Sequence, residues 1–496
     1  MGGRCWAKVA TVSLGSYKER ERGGGERFKA RLCAQGTAKQ DEQLEELITE
    51  SPTASRASLR MGLCETVRRG WGVHSFDVRC AFLQGGFLED EQDGGLYGVE
   101  QRKVFLKAPK EFAKKGMVMK LKKIVYGYAD APRRWFVESD TQLRNLGFTP
   151  TDLDPATYTL REDGELEAIV CMHVDDGFVM CSEKGMRKVA LYMDRFKVGS
   201  FKSEEFVYTG VKTARGKSGE VSMDQKEYVH KLEEIKLERG RCSNKKDALG
   251  PDEVRSMRKL LGAMTWLGAQ TRPDIAAEVS MLQSTLPGAT VAEVVRANKM
   301  VRRVKGTDNV RLTYSPLRGE TVILVFTDAA LQNVPSGSED TDKVYSQGGY
   351  VAVEAETVNG EIPVRAKFNV ISWGSNKLRR VCRSSFGAET LAACVAADVA
   401  YMLKTMLTEI RGEAVKAYLI TDSLNLRDHV RCFANNCAEK RLKVDLMVLK
   451  EFFKTGELEG LLWVGGSVNL ADSLTKNSST LGKALETGRL SLETLT

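Results

Sequence analysis

The sequence predicts a multidomain protein of mixed α+β and α/β class, and three observations support this prediction. The chain has 496 residues, which is enough for two to four domains with buried cores. Short apolar runs bounded by turn residues, typical of strands, alternate with longer runs whose apolar residues recur every three or four positions, typical of helices. From about Thr321 a series of strand-like apolar runs leads into a long helical run after Ser384. We therefore expect a further domain to begin near Thr321.

Composition narrows the classes of function. The hydrophobic content of 42% is ordinary for a globular protein, and the net charge of +8 permits a nucleic-acid partner without requiring one. Eleven cysteines without a Cys-x-x-Cys pair, together with only four histidines, argue against a zinc site. They favour reduced thiols in an intracellular protein, either cytoplasmic or nuclear. Because no apolar run approaches about 18 residues, we expect no membrane span and no membrane partner.

Two adjacent carboxylates, Asp175 and Asp176, lie between the apolar runs 168–172 and 178–181. Both runs are typical of buried strands, and Asp176-Gly177 predicts a tight turn between them. Two like charges at the tip of an apolar hairpin are disfavoured by repulsion and by desolvation, and a divalent cation such as Mg²⁺ removes both penalties. The alternative is a solvated Asp-Asp-Gly turn without a ligand.

A third carboxylate, Asp77, stands in the apolar run 75–83, where the pattern predicts the end of a strand before a short helix that starts near Ala81. A strand-end acid and a neighbouring hairpin tip can together hold two metal ions about 4 Å apart, the arrangement used for nucleotidyl transfer. The alternative for Asp77 is a helix N-cap. Spacing alone does not decide between the two.

Several segments resemble the reverse transcriptase and ribonuclease H region of copia-type LTR retrotransposon polyproteins. These segments are residues 76–85, 121–127, 131–135, 173–176 and 271–275. They occur in the order typical of that family. The resemblance runs from about residue 26 to about residue 477. The resemblance implies a right-hand polymerase followed by a ribonuclease H-like domain. The implied fingers and palm cover residues 1–215, with a shortened N-terminus. Thumb and connection helices follow over 216–318, then the ribonuclease H-like domain over 319–480 and a tail over 481–496.

The resemblance also implies roles for residues of the first domain. Asp77, Asp175 and Asp176 match the catalytic, metal-binding acids. Lys29 and Arg31 match cations that reach the triphosphate of the incoming dNTP, and the alternative is a solvated basic edge strand. Phe82 matches an aromatic residue beside the sugar C2′ position, which would favour dNTPs over rNTPs. The alternative for Phe82 is an ordinary core residue.

Two positions depart from the family pattern. Asp130 replaces a glutamine at the nucleotide site, where an anion would repel the triphosphate and raise the KM for dNTPs. The alternative is that Arg133 or Arg134 offsets this charge. His173 replaces a tyrosine beside the Asp pair, and we expect it to act as a wedge against the primer end. Farther along the chain, residues 223–232 and 254–266 have helical patterns that resemble the thumb and connection helices.

Four acids of the last domain are expected at two strand ends and two helix starts. Asp328 and Asp422 follow strand-like runs, and Glu389 and Asp472 lie near the starts of helical runs. Each position alone is more often a cap or a solvated charge. The resemblance implies instead that they hold two Mg²⁺ ions, or Mn²⁺ ions, that activate water to cut the RNA strand of a hybrid. The polar insertion 335–343 predicts a surface loop.

The predicted function is therefore an RNA-directed DNA polymerase coupled to ribonuclease H. Its expected partners are an RNA template, a DNA primer, the RNA–DNA hybrid and dNTPs, with two metal ions in each active site. The alternative is a degenerate retroelement copy that folds and binds nucleic acid without polymerase activity. A host ribonuclease H protein with an unrelated N-terminal domain is disfavoured by the segments around Asp77 and Asp175.

Overall fold

The computed structural model describes residues 12–20, 26–34, 48–88, 103–107, 117–238, 240–334, 345–432, 437, 439–476, 478–493 and 495. Within 12–32 it describes the backbone alone. The chain divides into two compact units. The first unit is Met1–Ser55 with His74–Lys202, and the second unit is Arg56–Val73 with Ser203–Thr496.

The described part of the chain forms strands, α-helices and short 3₁₀ helices. The strands are β1 Val12–Arg20, β2 Glu26–Ala34, β3 Gly72–Val78, β4 Phe105–Leu106, β5 Met119–Lys120, β6 Phe148–Pro150, β7 Thr157–Glu162, β8 Glu165–His173, β9 Asp176–Cys181, β10 Val198–Ser203, β11 Glu205–Tyr208, β12 Val211–Arg215, β13 Val221–Asp224, β14 Leu312–Tyr314, β15 Thr321–Val334, β16 Tyr345–Glu356, β17 Arg365–Lys377, β18 Lys416–Thr421, β19 Gly460–Trp463 and β20 Arg489–Ser491. The α-helices are α1 Arg56–Arg69, α2 Ala81–Gln84, α3 Ala131–Asn145, α4 Glu183–Arg195, α5 Lys226–Lys231, α6 Pro251–Gln270, α7 Ala276–Thr285, α8 Val291–Gly306, α9 Ser385–Arg411, α10 Leu424–Arg431, α11 Lys440–Lys454 and α12 Thr480–Thr487. The 3₁₀ helices are Arg241–Ser243, Pro273–Ile275, Leu286–Gly288, Gly466–Val468 and Leu470–Leu474.

A six-stranded sheet in the order β10-β3-β9-β8-β7-β6 positions the first candidate site. Its two central strands, β8 and β9, are the apolar runs of the predicted hairpin, and most of their side chains are buried. Helices α3 and α4 supply the aromatic core, in which the rings of Trp135 and Tyr192 lie 4.9 Å and 5.0 Å from the ring of Phe196. The hairpin is therefore anchored on a rigid apolar layer.

The second unit contains an antiparallel sheet, a helical layer and a second six-stranded sheet. Strands β11-β12-β13-β14 form the small sheet, and α6, α7 and α8 share an apolar core. The larger sheet has the order β19-β18-β15-β16-β17-β20. In it β16 is antiparallel to both of its neighbours, β15 and β17, whereas β18 is parallel to β15 and to β19. This parallel pairing brings the end of β18 beside the middle of β15.

Helix α9 has the length and apolar composition of a membrane-spanning helix. Half of its most apolar stretch is buried inside the fold. Ala388, Ala392, Ala393, Ala396 and Ala397 are all buried, as expected for a helix packed closely on a sheet. The packing of α9 as a core helix accounts for its composition.

Three predicted elements differ from the structure. The helical pattern 223–232 begins in a strand, because Met223 and Asp224 complete β13, and α5 covers only Lys226–Lys231. Residues 481–496 are not a simple tail, since they contribute to α12 and supply β20, which pairs with β17 through Arg365 and Ser491. Residues 56–73 belong to the second unit and not to the unit of the hairpin. The pattern 254–266 is confirmed as part of α6, and the insertion 335–343 lies outside the described residues.

Candidate active sites

The turn of the β8–β9 hairpin carries Asp175, and Asp176 is the first residue of β9. His173 pairs with Asp176 and Met172 pairs with Gly177, so the turn is Val174-Asp175 and not the predicted Asp176-Gly177. Val174 has a φ of 58°, which is a rare conformation for a β-branched residue and marks a strained turn. Gly177 is required for packing instead, because a Cβ at this position would overlap the ring of Phe76.

Two hydrogen bonds hold this turn. The buried indole of Trp135 donates from Nε1 to the carbonyl oxygen of Val174 at 2.7 Å, which ties the turn to α3. The backbone N–H of Val78 donates to the carbonyl oxygen of Asp175 at 2.9 Å, which ties the turn to β3. The sequence analysis did not assign a role to Trp135. A local sequence pattern could not have supplied one, because its acceptor lies 39 residues away.

Asp77 lies on β3, the strand beside β9, and its side chain is half-buried. Its Oδ2 lies over Gly199 of β10, where a Cβ would approach it to 2.7 Å. The N-cap of α2 is Cys80, with a φ of 52°, so the helix-cap alternative for Asp77 does not apply. Asp77 therefore lies on the strand next to β9, whose preceding turn carries Asp175.

The carboxylates of this first site interact electrostatically. Burial, followed by the charges of Asp175 and Asp77, raises the pKa of Asp176 to about 6. The carboxylates of Asp77, Asp175 and Asp176 are hard oxygen donors of the kind that Mg²⁺ prefers. His173 is exposed at the end of β8, and its positive charge when protonated lowers the pKa of Asp176.

Lys29 and Arg31 lie on β2, opposite Tyr17 and Gly15 of β1, and their side chains lie outside the described residues. The end of β2 is tied to the segment 121–127, because the N–H of Ala34 donates to the carbonyl oxygen of Tyr126 at 2.7 Å. Gly127, with a φ of 95°, allows this approach, since a Cβ there would overlap the backbone of Ala34.

Phe82 and Asp130 are both engaged in contacts with the protein. Phe82 is partly exposed on α2, and its ring centroid lies 4.8 Å from that of Tyr126. The carboxylate of Asp130 is buried and accepts a hydrogen bond from Nε of Arg134 at 2.9 Å. The expectation of an unopposed anion is therefore wrong, and the alternative of an offsetting arginine holds. The i, i+4 spacing of this pair at the start of α3 was the signal for it.

The second candidate site gathers three acids tightly. Carboxylate oxygens of Asp328, Asp422 and Asp472 all lie within 4.8 Å of one another. Thr327 of β15 pairs with Thr421, the last residue of β18, so the residues that follow them, Asp328 and Asp422, lie side by side. Asp472 comes from the 3₁₀ helix Leu470–Leu474. Within the described part of the chain no other three acids meet this spacing, so the acids of the hairpin site are less closely gathered.

Glu389 of α9 joins this second site. Burial raises its pKa above the usual range, a hydrogen bond with Ser423 opposes the shift, and the charges of Asp422 and Asp328 add to it. Burial also raises the pKa of Asp422, followed by the charge of Asp328. For Asp472, burial is the largest cause of a pKa raised to about 6. Raised pKa values of this kind are typical of clustered carboxylates, whose charged forms a divalent cation would stabilise.

Two residues that the sequence analysis did not single out complete the second site. Nζ of Lys476 lies 3.0 Å from Oδ1 of Asp472 and 3.4 Å from Oδ2 of Asp328. The hydroxyl of Thr475 donates to Oδ2 of Asp328. Burial alone would lower the pKa of Lys476, but Asp328, Asp472 and Asp422 raise it. The i, i+4 spacing of Asp472 and Lys476 was an available signal for this contact.

The two folds and their acid sites define a class: a polymerase-type palm joined to a ribonuclease H-like domain. Residues 15–243 match the family described as "Reverse transcriptase (RNA-dependent DNA polymerase)". The chain is 26% identical over 474 residues to the retrovirus-related Pol polyprotein from transposon RE1 of Arabidopsis thaliana. It is 26% identical over 483 residues to the Pol polyprotein from transposon TNT 1-94 of Nicotiana tabacum. Both matches cover 91% of this chain.

These matches confirm the predicted resemblance to Pol polyproteins of copia-type retrotransposons. The chain spans 29% and 33% of the length of these two relatives. Among solved structures, a foamy viral protease-reverse transcriptase in complex with double-stranded DNA matches with a TM-score of 0.50 and 12% identity. That match covers 90% of this chain and 64% of the viral one, and it bears on the fold alone. The predicted fold class is confirmed.

Proposed function

We propose that this chain is an RNA-directed DNA polymerase coupled to a ribonuclease H, which copies retroelement RNA into DNA and cuts the RNA of the resulting hybrid. The observation that carries the proposal is the presence of two acid sites on two separate sheets within a chain of reverse transcriptase ancestry. One site contains Asp77, Asp175 and Asp176, and the other contains Asp328, Asp422 and Asp472.

At the first site, Asp77, Asp175 and Asp176 would hold two divalent ions, Mg²⁺ or Mn²⁺. Such ions activate the primer hydroxyl and neutralise the leaving pyrophosphate. The residues of the chain position this chemistry. Trp135 and Val78 fix the turn that carries the acids, and Phe82 would limit the space at the sugar C2′ position and so favour dNTPs. Lys29 and Arg31 would contact the triphosphate.

At the second site, Asp328, Glu389, Asp422 and Asp472 would hold the ions, whose chemistry is the activation of water for attack on a phosphodiester. Oxygen donors from two strands, one α-helix and one 3₁₀ helix fit such hard cations. Thr475 holds Asp328 in place by its hydrogen bond. Selectivity for the RNA strand would come from the A-form shape of a hybrid and from contacts with its 2′-hydroxyl groups.

The proposed partners are an RNA template, a DNA primer, the RNA–DNA hybrid and dNTPs. The net charge of +8 is of the sign that phosphate backbones require. The solved relative was itself bound to double-stranded DNA, which supports a duplex ligand.

Primer extension on poly(rA)·oligo(dT) with Mg²⁺ tests the polymerase assignment. We expect extension by the unchanged protein and none by Asp175→Asn. Asp194→Asn, which changes an exposed aspartate of α4 in the same unit, is the matched control and should keep full activity. Binding of the primer–template without extension, in a folded protein, would favour the degenerate retroelement copy instead.

A further inference from the structure

Lys476 places an ammonium group beside two of the acids of the second site. Its Nζ contacts Oδ1 of Asp472 at 3.0 Å and Oδ2 of Asp328 at 3.4 Å. These carboxylates belong to the set of three whose oxygens lie within 4.8 Å of one another. The ammonium therefore binds two of the carboxylates that a divalent ion would also need.

An ammonium and a metal ion compete for these carboxylates. Lysine carries three donors and no acceptor, so it cannot itself coordinate a cation, and two positive charges at this distance repel each other. Without any cation, three or four carboxylates at this spacing would repel one another strongly. Lys476 therefore stabilises the cluster before a divalent ion binds.

The side chain of Lys476 is able to leave. It is 49% exposed, whereas the carboxylate of Asp328 is only 3% exposed. The long flexible stem of a lysine permits the head group to move while the backbone stays in place. Beside it lies a cavity of about 250 Å³, lined in part by Glu278, Arg296, Arg303 and Ser478. This cavity provides room for a displaced ammonium group, and the oxygens of Glu278 and Ser478 could accept its hydrogen bonds, whereas Arg296 and Arg303 could not.

We propose that Lys476 is a positioning residue, an internal counter-cation that holds the acids of the nuclease site in place until a divalent ion displaces it. Lys476 thereby sets the concentration of Mg²⁺ at which the site fills. This inference rests on the proposed nuclease function and deepens it.

The test measures metal binding and not activity. All variants carry Asp77→Asn, Asp175→Asn and Asp176→Asn, so that the first site does not contribute to the metal response. The full chain is titrated with Mg²⁺, and separately with Mn²⁺, and the Tm and the calorimetric binding isotherm are recorded. In this background Lys476→Gln and Lys476→Met should lower the midpoint of the Mg²⁺ titration about five- to tenfold, as expected for removal of one partly exposed competing charge. Both should also lower the Tm of the metal-free protein.

Two variants serve as controls. Lys476→Arg keeps the charge and should keep the midpoint within about twofold of the parent, because the competing cation remains. Lys483→Gln removes an exposed lysine of α12 and should leave both quantities unchanged. A shift caused equally by Lys483→Gln would mean that net charge alone is responsible and would overturn the inference.

Asp422→Asn in the same background separates the inference from the proposed function. If Asp422→Asn leaves the metal response unchanged, the metal does not bind at the second site and the nuclease assignment fails. If Asp422→Asn abolishes the response but Lys476→Gln and Lys476→Met leave the midpoint unchanged or raise it, the inference about Lys476 alone is overturned.

Discussion

Arg411 and Glu65 are 346 residues apart in the chain, yet Nε of Arg411 donates to Oε1 of Glu65 at 2.6 Å. Both side chains are almost fully buried, with exposed fractions of 3% and 0%. The same guanidinium donates to Oγ1 of Thr321 at 2.9 Å and to the carboxylate of Glu354. This network fastens α1 to strands β15 and β16 and to helix α9, so α1 is a structural part of the ribonuclease H-like unit.

We expect Glu65→Ala to lower the free energy of unfolding by about 3 kcal/mol, because it leaves part of a buried positive charge without its partner. Urea unfolding of the full chain, followed by tryptophan fluorescence, measures the change. Glu413→Ala is the matched control, since Glu413 forms a surface pair with Arg68 at 3.5 Å and is 64% exposed. That substitution should cost less than about 1 kcal/mol. Equal losses for the two variants would contradict the role given to Glu65.

The ion pair of Asp130 with Arg134 reverses an expectation drawn from the sequence. We expect Asp130→Gln to destabilise the first unit by about 3 kcal/mol, because the buried guanidinium loses its countercharge, and not to improve the use of dNTPs. Chemical denaturation and the KM for dNTPs are measured on the same preparation. Asp194→Gln, an exposed position, serves as control. A stable Asp130→Gln protein with a lower KM would restore the idea of an anion that opposes the triphosphate.

Two tryptophans support the two sites in equivalent ways. Trp135 donates to the carbonyl oxygen of Val174 at 2.7 Å, and Trp463 donates to the carbonyl oxygen of Asp422 at 2.9 Å. Each Trp→Phe change removes one hydrogen bond worth about 1 kcal/mol. We expect Trp135→Phe to lower kcat of primer extension about five- to tenfold and to leave hybrid cleavage unchanged.

Trp463→Phe should lower hybrid cleavage and leave primer extension unchanged, so each variant is the control for the other. Assays of both activities on each protein, with circular dichroism to verify folding, decide the question. The same loss of both activities in either variant would indicate general destabilisation and would count against separate positioning roles.

The raised pKa of Asp176 predicts a pH-dependent stability. In the folded protein this carboxyl has a pKa of about 6, above its ordinary value, so the folded state binds more protons than the unfolded state between the two values. Stability of the metal-free protein therefore falls as the pH rises through this window. Asp176→Asn should raise the Tm at about pH 7.5 and change it less at about pH 5, where the acid is already protonated in the folded state. Asp194→Asn should show no such difference, and a pH-independent gain for Asp176→Asn would refute the explanation.

The sequence predicted the local features of both sites. It did not predict the features that depend on contacts between residues far apart in the chain. The strands that carry Asp77 and Asp328 are apolar runs, and local patterning was sufficient to find them. The position of the hairpin turn was mispredicted because Gly177 is required by the ring of Phe76, a contact between separate strands. The place of α1 in the second unit depends on Glu65 and Arg411, and no local pattern joins residues so far apart.

The C-terminal segment illustrates the same limit. Residues 489–491 are too short and too polar to indicate a strand, and they form one only because β17 offers a free edge there. By contrast, the contacts of Lys476 and of Arg134 follow i, i+4 spacings that the sequence contains.

The central claim is that two separate acid sites carry two separate activities. It is tested most directly by assaying primer extension and hybrid cleavage for Asp175→Asn and Asp422→Asn on the same preparations. We expect Asp422→Asn to lower hybrid cleavage by about three orders of magnitude while primer extension stays largely intact, and Asp175→Asn to do the reverse. Loss of both activities in either folded variant would contradict the account.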